Sequence, residues 1–182
     1  MDAMEQLSRR SFLKSGTAAA AATALGAART MGEDTGRMAR VGIVGVGSRG
    51  TSLLRTMLQF PGVQIPAVCD VAGAHAKRAQ DIVEKTTGTR PEAYTNGERD
   101  WERLVQRDDL DAVVTATPWE WHTPIMVAAM RAGKTGGTEV PAALTVEECW
   151  DLVRTSEATG MPCMMLENVC YFSNALALLR MV

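Results

Sequence analysis

The sequence predicts an α/β fold, built as a doubly wound parallel sheet with helices between the strands. Three observations predict it. Short apolar segments alternate with amphipathic segments from residue 40 onward, which is the pattern of successive βαβ units. A glycine-rich turn from Gly45 to Gly50 joins the first apolar segment to the first amphipathic one. The run Ala-Val-Val-Thr-Ala within residues 111–117 has the composition of a strand buried on both faces.

The individual elements follow in chain order. Strands are predicted at residues 41–46, 64–70, 92–95 and 111–117, in a weak segment ending at Glu139, and at residues 161–167. Helices are predicted at residues 51–60, 72–85, 101–106, 123–132 and 145–160. Thr145 and Glu148 stand at capping-box spacing, which places the start of the last of these helices.

Two predicted strands contain residues that strands disfavour. Pro66 lacks a backbone N–H and is tolerable only near the start of the second strand. Gly136 and Gly137 have no side chains to pack, so each weakens the fifth strand by roughly 0.5–1 kcal/mol. Both strands are therefore expected to be imperfect.

Composition excludes several classes of protein. Hydrophobic residues make up 46% and charged residues 22% of the chain, which is ordinary for a soluble domain. The formal net charge of -2 argues against a nucleic-acid partner. Four scattered cysteines and two histidines argue against a disulfide scaffold and a metal site. No apolar run is long enough for a stable membrane anchor.

The N-terminal segment has the layout of an export signal. Paired arginines, Arg9 and Arg10, precede a short apolar run made mostly of alanine, as in a twin-arginine signal. We predict a signal peptide at residues 1–28, a linker at residues 29–39, and export by the twin-arginine machinery to the periplasm or the medium. The alternative is an alanine-rich helix of the fold itself.

The glycine-rich turn has the spacing of a dinucleotide-binding loop and makes the predicted fold a Rossmann-type one. Gly45 permits the tight turn, Gly47 admits a pyrophosphate, and Gly50 lets the helix pack on the strand. The start of the helix adds free amides and a partial positive charge. The residues predicted to bind the cofactor in this segment are Gly45, Gly47, Ser48, Arg49 and Gly50.

A carboxylate follows the second strand at the position that binds the ribose of such a cofactor. Asp70 lies 20 residues after Gly50, where an acidic side chain binds the 2′-hydroxyl of NAD and repels the 2′-phosphate of NADP. The cofactor is therefore predicted to be NAD. The alternative is a glycine turn with a solvated aspartate.

The final segment carries an apolar stripe without a partner. Residues 174–182 form an apolar helix with no polar end, and such a stripe is normally buried against another element. We therefore expect a fragment of a longer protein. In this interpretation residues 40–167 are an NAD-binding Rossmann domain, and residues 168–182 begin a truncated C-terminal α/β substrate domain of which only the first helix is present.

From Arg40 onward the chain resembles the glucose–fructose oxidoreductase, inositol dehydrogenase and MocA (Gfo/Idh/MocA) family. The segments that carry the resemblance are Gly45-Val-Gly-Ser-Arg-Gly50, Val68-Cys-Asp70, Ala116-Thr-Pro118 with His122, Gly133-Lys134 and Glu139-Val-Pro141. The resemblance is closest to glycoside hydrolase family 109. That branch is indicated by Tyr94-Thr-Asn-Gly97 with Trp101, Thr117-Pro-Trp-Glu-Trp-His122, Glu139-Val-Pro-Ala-Ala143, Glu147-Glu-Cys-Trp150 and Glu167-Asn-Val-Cys-Tyr171.

This resemblance implies an NAD-dependent α-N-acetylgalactosaminidase-like glycosidase. Such an enzyme oxidises the sugar transiently at C3, eliminates the C1 substituent, adds water and returns the hydride. Dehydrogenases of the wider family usually carry a lysine where this chain has Val140, which argues against simple dehydrogenase activity. Two alternatives stay open: an NAD-dependent sugar or cyclitol oxidoreductase, and a nucleotide-binding fragment without catalysis.

The same resemblance implies further site residues. Candidate catalytic residues are Tyr171, Glu139 and His122. Further candidates for cofactor binding are Thr117, Pro118, Trp119, His122, Glu139 and Asn168. Local structural roles are the alternatives: a helix-capping histidine, a solvated strand end, packed aromatic rings and a turn-forming asparagine. The expected partner is a small-molecule glycoside or sugar, and a homo-oligomer of the full-length protein is left open.

Overall fold

The computed structural model describes residues 38–181. The predicted signal peptide, most of the predicted linker and Val182 lie outside the described residues. Within the described part, six strands form one parallel sheet in the order β3-β2-β1-β4-β5-β6. This is the strand order of two joined mononucleotide-binding halves, so the predicted doubly wound Rossmann-type fold is confirmed.

The elements alternate along the chain as the sequence predicts. The strands are β1 Ala39–Val44, β2 Val63–Cys69, β3 Glu92–Tyr94, β4 Ala112–Thr115, β5 Thr135–Thr138 and β6 Cys163–Met165. The helices are α1 Ser48–Met57, α2 Gly73–Thr87, α3 Trp101–Val105, α4 His122–Arg131, α5 Val146–Thr159 and α6 Ser173–Leu179. Short 3-10 turns lie at Trp119–Trp121 and Asn168–Tyr171.

The sheet is buried on both faces by these helices. Ile43 and Val44 are neighbours in β1, but they belong to two separate clusters of buried side chains. Ile43 packs with Leu54 of α1 and Val83 of α2. Val44 shares its cluster with residues of α3 and α4 on the other face. The alternation of side chains along a strand therefore places one helical layer on each side.

The first helix begins three residues earlier than predicted. Helix α1 starts at Ser48, with Gly47 as its N-cap, whereas the apolar pattern indicates a start at Thr51. The early start follows from the glycine loop, because the chain turns at Gly45 and the N–H of Thr51 already bonds the carbonyl of Gly47 at 3.0 Å. Ser48, Arg49 and Gly50 therefore form the first turn of the helix.

The prediction that Pro66 lies near the start of its strand is wrong. Strand β2 runs from Val63, which puts Pro66 in its middle. The register between β1 and β2 shifts between Arg40 and Gly42, which pair with Gln64 and Ala67. Pro66 lies inside this irregularity, where a residue that cannot donate a ladder hydrogen bond is tolerated.

The two glycines of β5 have a packing role that the sequence does not reveal. A Cβ on Gly136 would lie 2.9 Å from Sδ of Met126 and 3.1 Å from Sγ of Cys163. A Cβ on Gly137 would lie 3.2 Å from a methyl carbon of Val114. Side chains from neighbouring elements therefore fill the space over β5. Glycine permits this close packing, whereas the sequence suggested only that it would weaken the strand.

Helix α5 begins with the predicted capping box. The N–H of Glu148 donates to Oγ1 of Thr145 at 3.2 Å, and Oε2 of Glu148 accepts from the N–H of Thr145 at 3.1 Å. Helix α6 begins at Ser173, and its apolar residues Leu178 and Leu179 are 64% and 75% exposed. Across residues 38–181, none of the helices has the length and hydropathy needed to cross a membrane.

We predict that Gly50→Ala destabilises the folded domain by about 3 kcal/mol or more, because an added Cβ cannot be accommodated by side-chain movement alone. That Cβ would lie 1.8 Å from the main-chain oxygen of Gly45. Gly62→Ala is the matched control, since nothing lies within 4 Å of its added Cβ, and it should change stability by less than about 0.5 kcal/mol. Urea unfolding of the full-length variants measures both, and equal midpoints would contradict the packing role of Gly50.

Candidate functional site

The glycine loop lies where the end of β1 meets the start of α1. Gly45 has a φ of 81°, and a Cβ there would lie 2.8 Å from main-chain atoms of Ala116 and Thr117. The Cβ of a residue at position 50 would collide with the oxygen of Gly45. At Gly47 the nearest contact of an added Cβ is 3.9 Å away. Two glycines are thus needed for packing, and the third leaves open space for a ligand.

Asp70 is held rigidly beside this loop. Its Oδ2 accepts from the N–H of Val46 at 2.9 Å, and its Oδ1 accepts from the N–H of Ala72 at 2.9 Å. The side chain is 9% exposed. A carboxylate oxygen can accept more than one hydrogen bond, so Asp70 both fixes the loop and keeps capacity for a ribose hydroxyl.

A cavity of about 480 Å³ opens between the glycine loop and the segment after β4, within the usual size range of small-molecule sites. Predicted site residues in its wall are Gly45, Gly47, Asp70, Thr117 and Pro118. Two larger grooves, of about 670 and 700 Å³, contain none of the predicted site residues. The open space at Gly47 and the fixed Asp70 fit a dinucleotide in the first cavity.

Cys69 lies in the wall of the cavity but is poorly suited to nucleophilic chemistry. Burial, with smaller contributions from the negative charges of Asp100 and Asp70, raises the pKa of its thiol to about 12. The thiolate is the reactive form of cysteine. Cys69 therefore serves as a small core residue under the site.

An ion-pair network joins α1 to the carboxyl ends of β5 and β6. Nε of Arg49 donates to Oε1 of Glu139 at 2.8 Å, and another guanidinium nitrogen of Arg49 donates to Oδ1 of Asn168 at 3.2 Å. The Glu139 side chain is 9% exposed, whereas that of Arg49 is 46% exposed. Three predicted site residues, distant in sequence, thus meet through one guanidinium group.

His122 connects the segments that follow β4 and β5. Its Nδ1 lies 2.7 Å from the carbonyl oxygen of Pro141, and its Nε2 lies 3.0 Å from that of Thr117. The residue is 1% exposed. Both ring nitrogens therefore face main-chain acceptors. A ring nitrogen can bond a carbonyl oxygen only by donating a proton. This geometry favours an orienting role over the predicted catalytic one.

Two predicted aromatic residues stay at the surface. Trp119 is 59% exposed and Tyr171 is 72% exposed. Tyr171 ends the 3-10 turn that begins with Asn168, the residue that accepts a hydrogen bond from Arg49. No group of three or more histidine, cysteine or acidic side chains in residues 38–181 is arranged to hold a metal ion.

Four charged, ionisable or aromatic residues of the cavity wall, apart from the buried Cys69, were absent from the predicted set. They are His75, Glu98, Glu120 and Trp121. His75 could have been found, because a residue in the first turn of the helix after Asp70 is carried toward the glycine loop by a right-handed βαβ crossover. Trp121 directly precedes His122, but its orientation depends on edge packing against Trp101, with ring centroids 6.1 Å apart. Such a contact is not visible in sequence.

Comparisons with known proteins agree with this geometry. The chain is 51% identical over 143 residues to a glycosyl hydrolase family 109 protein of Saccharopolyspora erythraea, covering 79% of this chain and 31% of that protein. It is 45% identical over 146 residues to an alpha-N-acetylgalactosaminidase of Tannerella forsythia, covering 80% of this chain and 31% of that protein. The chain thus spans about a third of the length of these two curated relatives.

Solved structures share the fold. Apo scyllo-inositol dehydrogenase from Lactobacillus casei superposes with a TM-score of 0.70 at 18% identity, covering 80% of this chain and 41% of that one. At this identity the likeness concerns the fold alone. The sequence model of the twin-arginine translocation signal matches residues 6–26. This match confirms the predicted export by the twin-arginine route, although the signal lies outside the described residues.

The family match covers the whole sheet. The sequence model described as "Oxidoreductase family, NAD-binding Rossmann fold" matches residues 39–167, the span from β1 to the end of β6. The glycine loop, Asp70 and Glu139 all lie within it. The chain therefore belongs to the Gfo/Idh/MocA oxidoreductase family, whose NAD-binding Rossmann domain it carries.

Proposed function

We propose that the full-length protein is an exported, NAD-dependent glycosidase that acts on small α-N-acetylgalactosaminide-like glycosides. The observation that carries the proposal is the network of Arg49, Glu139 and Asn168, with Val140 directly after the glutamate. The titratable group left at the end of β5 is thus Glu139, which Arg49 holds, because Val140 stands where dehydrogenases of the wider family usually carry a lysine. The names of the relatives from Saccharopolyspora erythraea and Tannerella forsythia support the same activity.

In this proposal the described residues hold the cofactor and order the reacting groups. Gly47 and the first amides of α1 receive the pyrophosphate, and Asp70 receives the adenosine ribose. Bound NAD supplies a reversible acceptor for one hydride from C3 of the sugar. His122 lies between the carbonyls of Pro141 and Thr117, so it orients the segments that follow β4 and β5.

The remaining steps need proton transfer at the sugar. The ketone formed at C3 acidifies the proton on C2, a base removes that proton, and the C1 substituent leaves with the electron pair of its bond. The base passes its proton to the departing substituent, water supplies a hydroxyl to C1 and a proton to C2, and the hydride returns to C3. Tyr171 is our candidate for the base because its side chain is exposed and it lies three residues after Asn168, which accepts a hydrogen bond from Arg49. Asn168 and Glu139 hold hydroxyl groups of the sugar or the ribose.

A second function, an NAD-dependent sugar or cyclitol oxidoreductase, is favoured by the match of residues 39–167 to the model described as "Oxidoreductase family, NAD-binding Rossmann fold". The two functions differ in the fate of the hydride. An oxidoreductase leaves reduced cofactor after each turnover, whereas the elimination route regenerates NAD in place. This difference separates them in one assay.

We predict that the full-length protein releases the aglycone of a chromogenic α-N-acetylgalactosaminide without accumulating NADH. The hydride returns to C3 in each cycle, so the cofactor undergoes no net reduction. Aglycone release and absorbance of reduced cofactor are followed in the same cuvette. Stoichiometric NADH without aglycone release would contradict the glycosidase proposal and favour the oxidoreductase.

We predict that Arg49→Ala lowers kcat/KM by roughly ten- to a hundredfold, because hydrogen bonds to charged groups contribute about 1.5–3 kcal/mol. Arg49→Lys keeps the positive charge but not the two-donor geometry, so its loss should be smaller. Arg154→Ala is the control, since it removes an arginine whose ion pair with Glu147 is exposed on both sides and should contribute little. Equal activities of the Arg49 and Arg154 alanine variants would show that the network has no role in catalysis.

A further inference from the structure

We propose that His75 is a cofactor-binding residue that, together with Asp70, sets the preference between NAD and NADP. The inference rests on the proposed NAD-dependent function and deepens it. His75 lies in the first turn of α2, five residues after Asp70. It lines the same cavity as Gly47 and Asp70.

The imidazole of His75 stands between two groups that would meet the cofactor. Its Nδ1 lies 3.4 Å from Oδ1 of Asp70. An added Cβ on Gly47 would lie 3.9 Å from the same nitrogen. The His75 side chain is 42% exposed, whereas that of Asp70 is 9% exposed. The ring therefore presents an accessible edge beside both the ribose-binding carboxylate and the glycine that admits the pyrophosphate.

The charge of the His75 ring determines whether the repulsion between Asp70 and a 2′-phosphate is offset. Asp70 alone repels that phosphate, since like charges at short range disfavour each other. Histidine changes its charge between about pH 5 and 8. A protonated His75 offsets the carboxylate and attracts the phosphate, whereas a neutral His75 leaves the repulsion in place. The preference for NAD over NADP should therefore be greatest at alkaline pH and should narrow as the pH falls.

Other charged groups surround His75 on the elements packed against it. Glu98, after β3, and Glu120, after β4, line the same cavity and add negative charge. Arg78, one turn further along α2, donates to the carbonyl of Val46 at 3.1 Å and adds positive charge near the loop. These groups are unchanged in variants of His75, so a comparison of wild type with such variants isolates the imidazole.

The test is calorimetric titration of the full-length protein with NAD and with NADP at about pH 6 and about pH 8, a range that spans the titration of histidine. In the wild type, the ratio of Kd for NADP to Kd for NAD should fall by roughly fivefold between the higher and the lower pH, as expected for one added charge at close range. His75→Gln should abolish most of this fall, and His75→Arg should lower the ratio at both pH values. The 2′-phosphate of free NADP also titrates near about pH 6, and because the free ligand is the same for every variant, variants are compared with the wild type at each pH.

Lys77→Gln is the matched control. It removes one positive charge two positions along the same helix, from an exposed residue outside the cavity, and should leave the ratio and its pH dependence unchanged. If the ratio in His75→Gln still falls between the higher and the lower pH as much as in the wild type, or if both nucleotides lose affinity equally, the specificity role of His75 is overturned. Absence of binding of either nucleotide to the wild type would instead overturn the proposed function, and this inference with it.

Discussion

The close contact between α1 and the end of β1 is the constraint on which the site depends. The main-chain oxygen of Gly45 lies so near Gly50 that any Cβ there would be 1.8 Å away. This contact fixes where the helix begins, so it also fixes where the free amides of its first turn point. Arg49 stands in the same turn, and its reach to Glu139 and Asn168 follows from the position of the helix.

The glycine loop is held from several sides at Val46. Its N–H donates to Asp70, and its carbonyl accepts from the Thr51 hydroxyl at 2.9 Å and from Arg78 at 3.1 Å. These bonds satisfy the polar groups of a buried turn and bring the ends of β1 and β2 and the helices after them into one unit. Asp70 is therefore a structural residue as well as the one that we propose binds the ribose, which separates it from His75, whose ring is more exposed.

The sequence was sufficient for the sheet and for the glycine loop, because both depend on local patterns. Alternating apolar segments predict the strands, and the spacing of Gly45, Gly47 and Gly50 predicts the loop. Contacts between distant segments were not predictable in this way. The link from Arg49 to Glu139 spans 90 positions, and the burial of both His122 nitrogens depends on carbonyls that only the folded loops bring near.

Departures from local rules were resolved by three-dimensional packing. Pro66 in mid-strand and the paired glycines of β5 both oppose strand propensity. The irregular register beside Pro66 and the side chains that fill the space over Gly136 explain them. Strand propensity describes a residue in isolation, whereas the stability of a residue in a sheet also depends on how it packs against its neighbours.

The central claim is that this domain holds NAD and that the exported protein carries it. A nucleotide is scarce outside the cytoplasm, and the twin-arginine signal matched at residues 6–26 implies export of a folded protein. The most direct measurement is the nucleotide released on heat denaturation of the full-length protein purified from the exported fraction. Our account predicts close to one NAD per chain. A nucleotide-free protein that also fails to bind added NAD would contradict it.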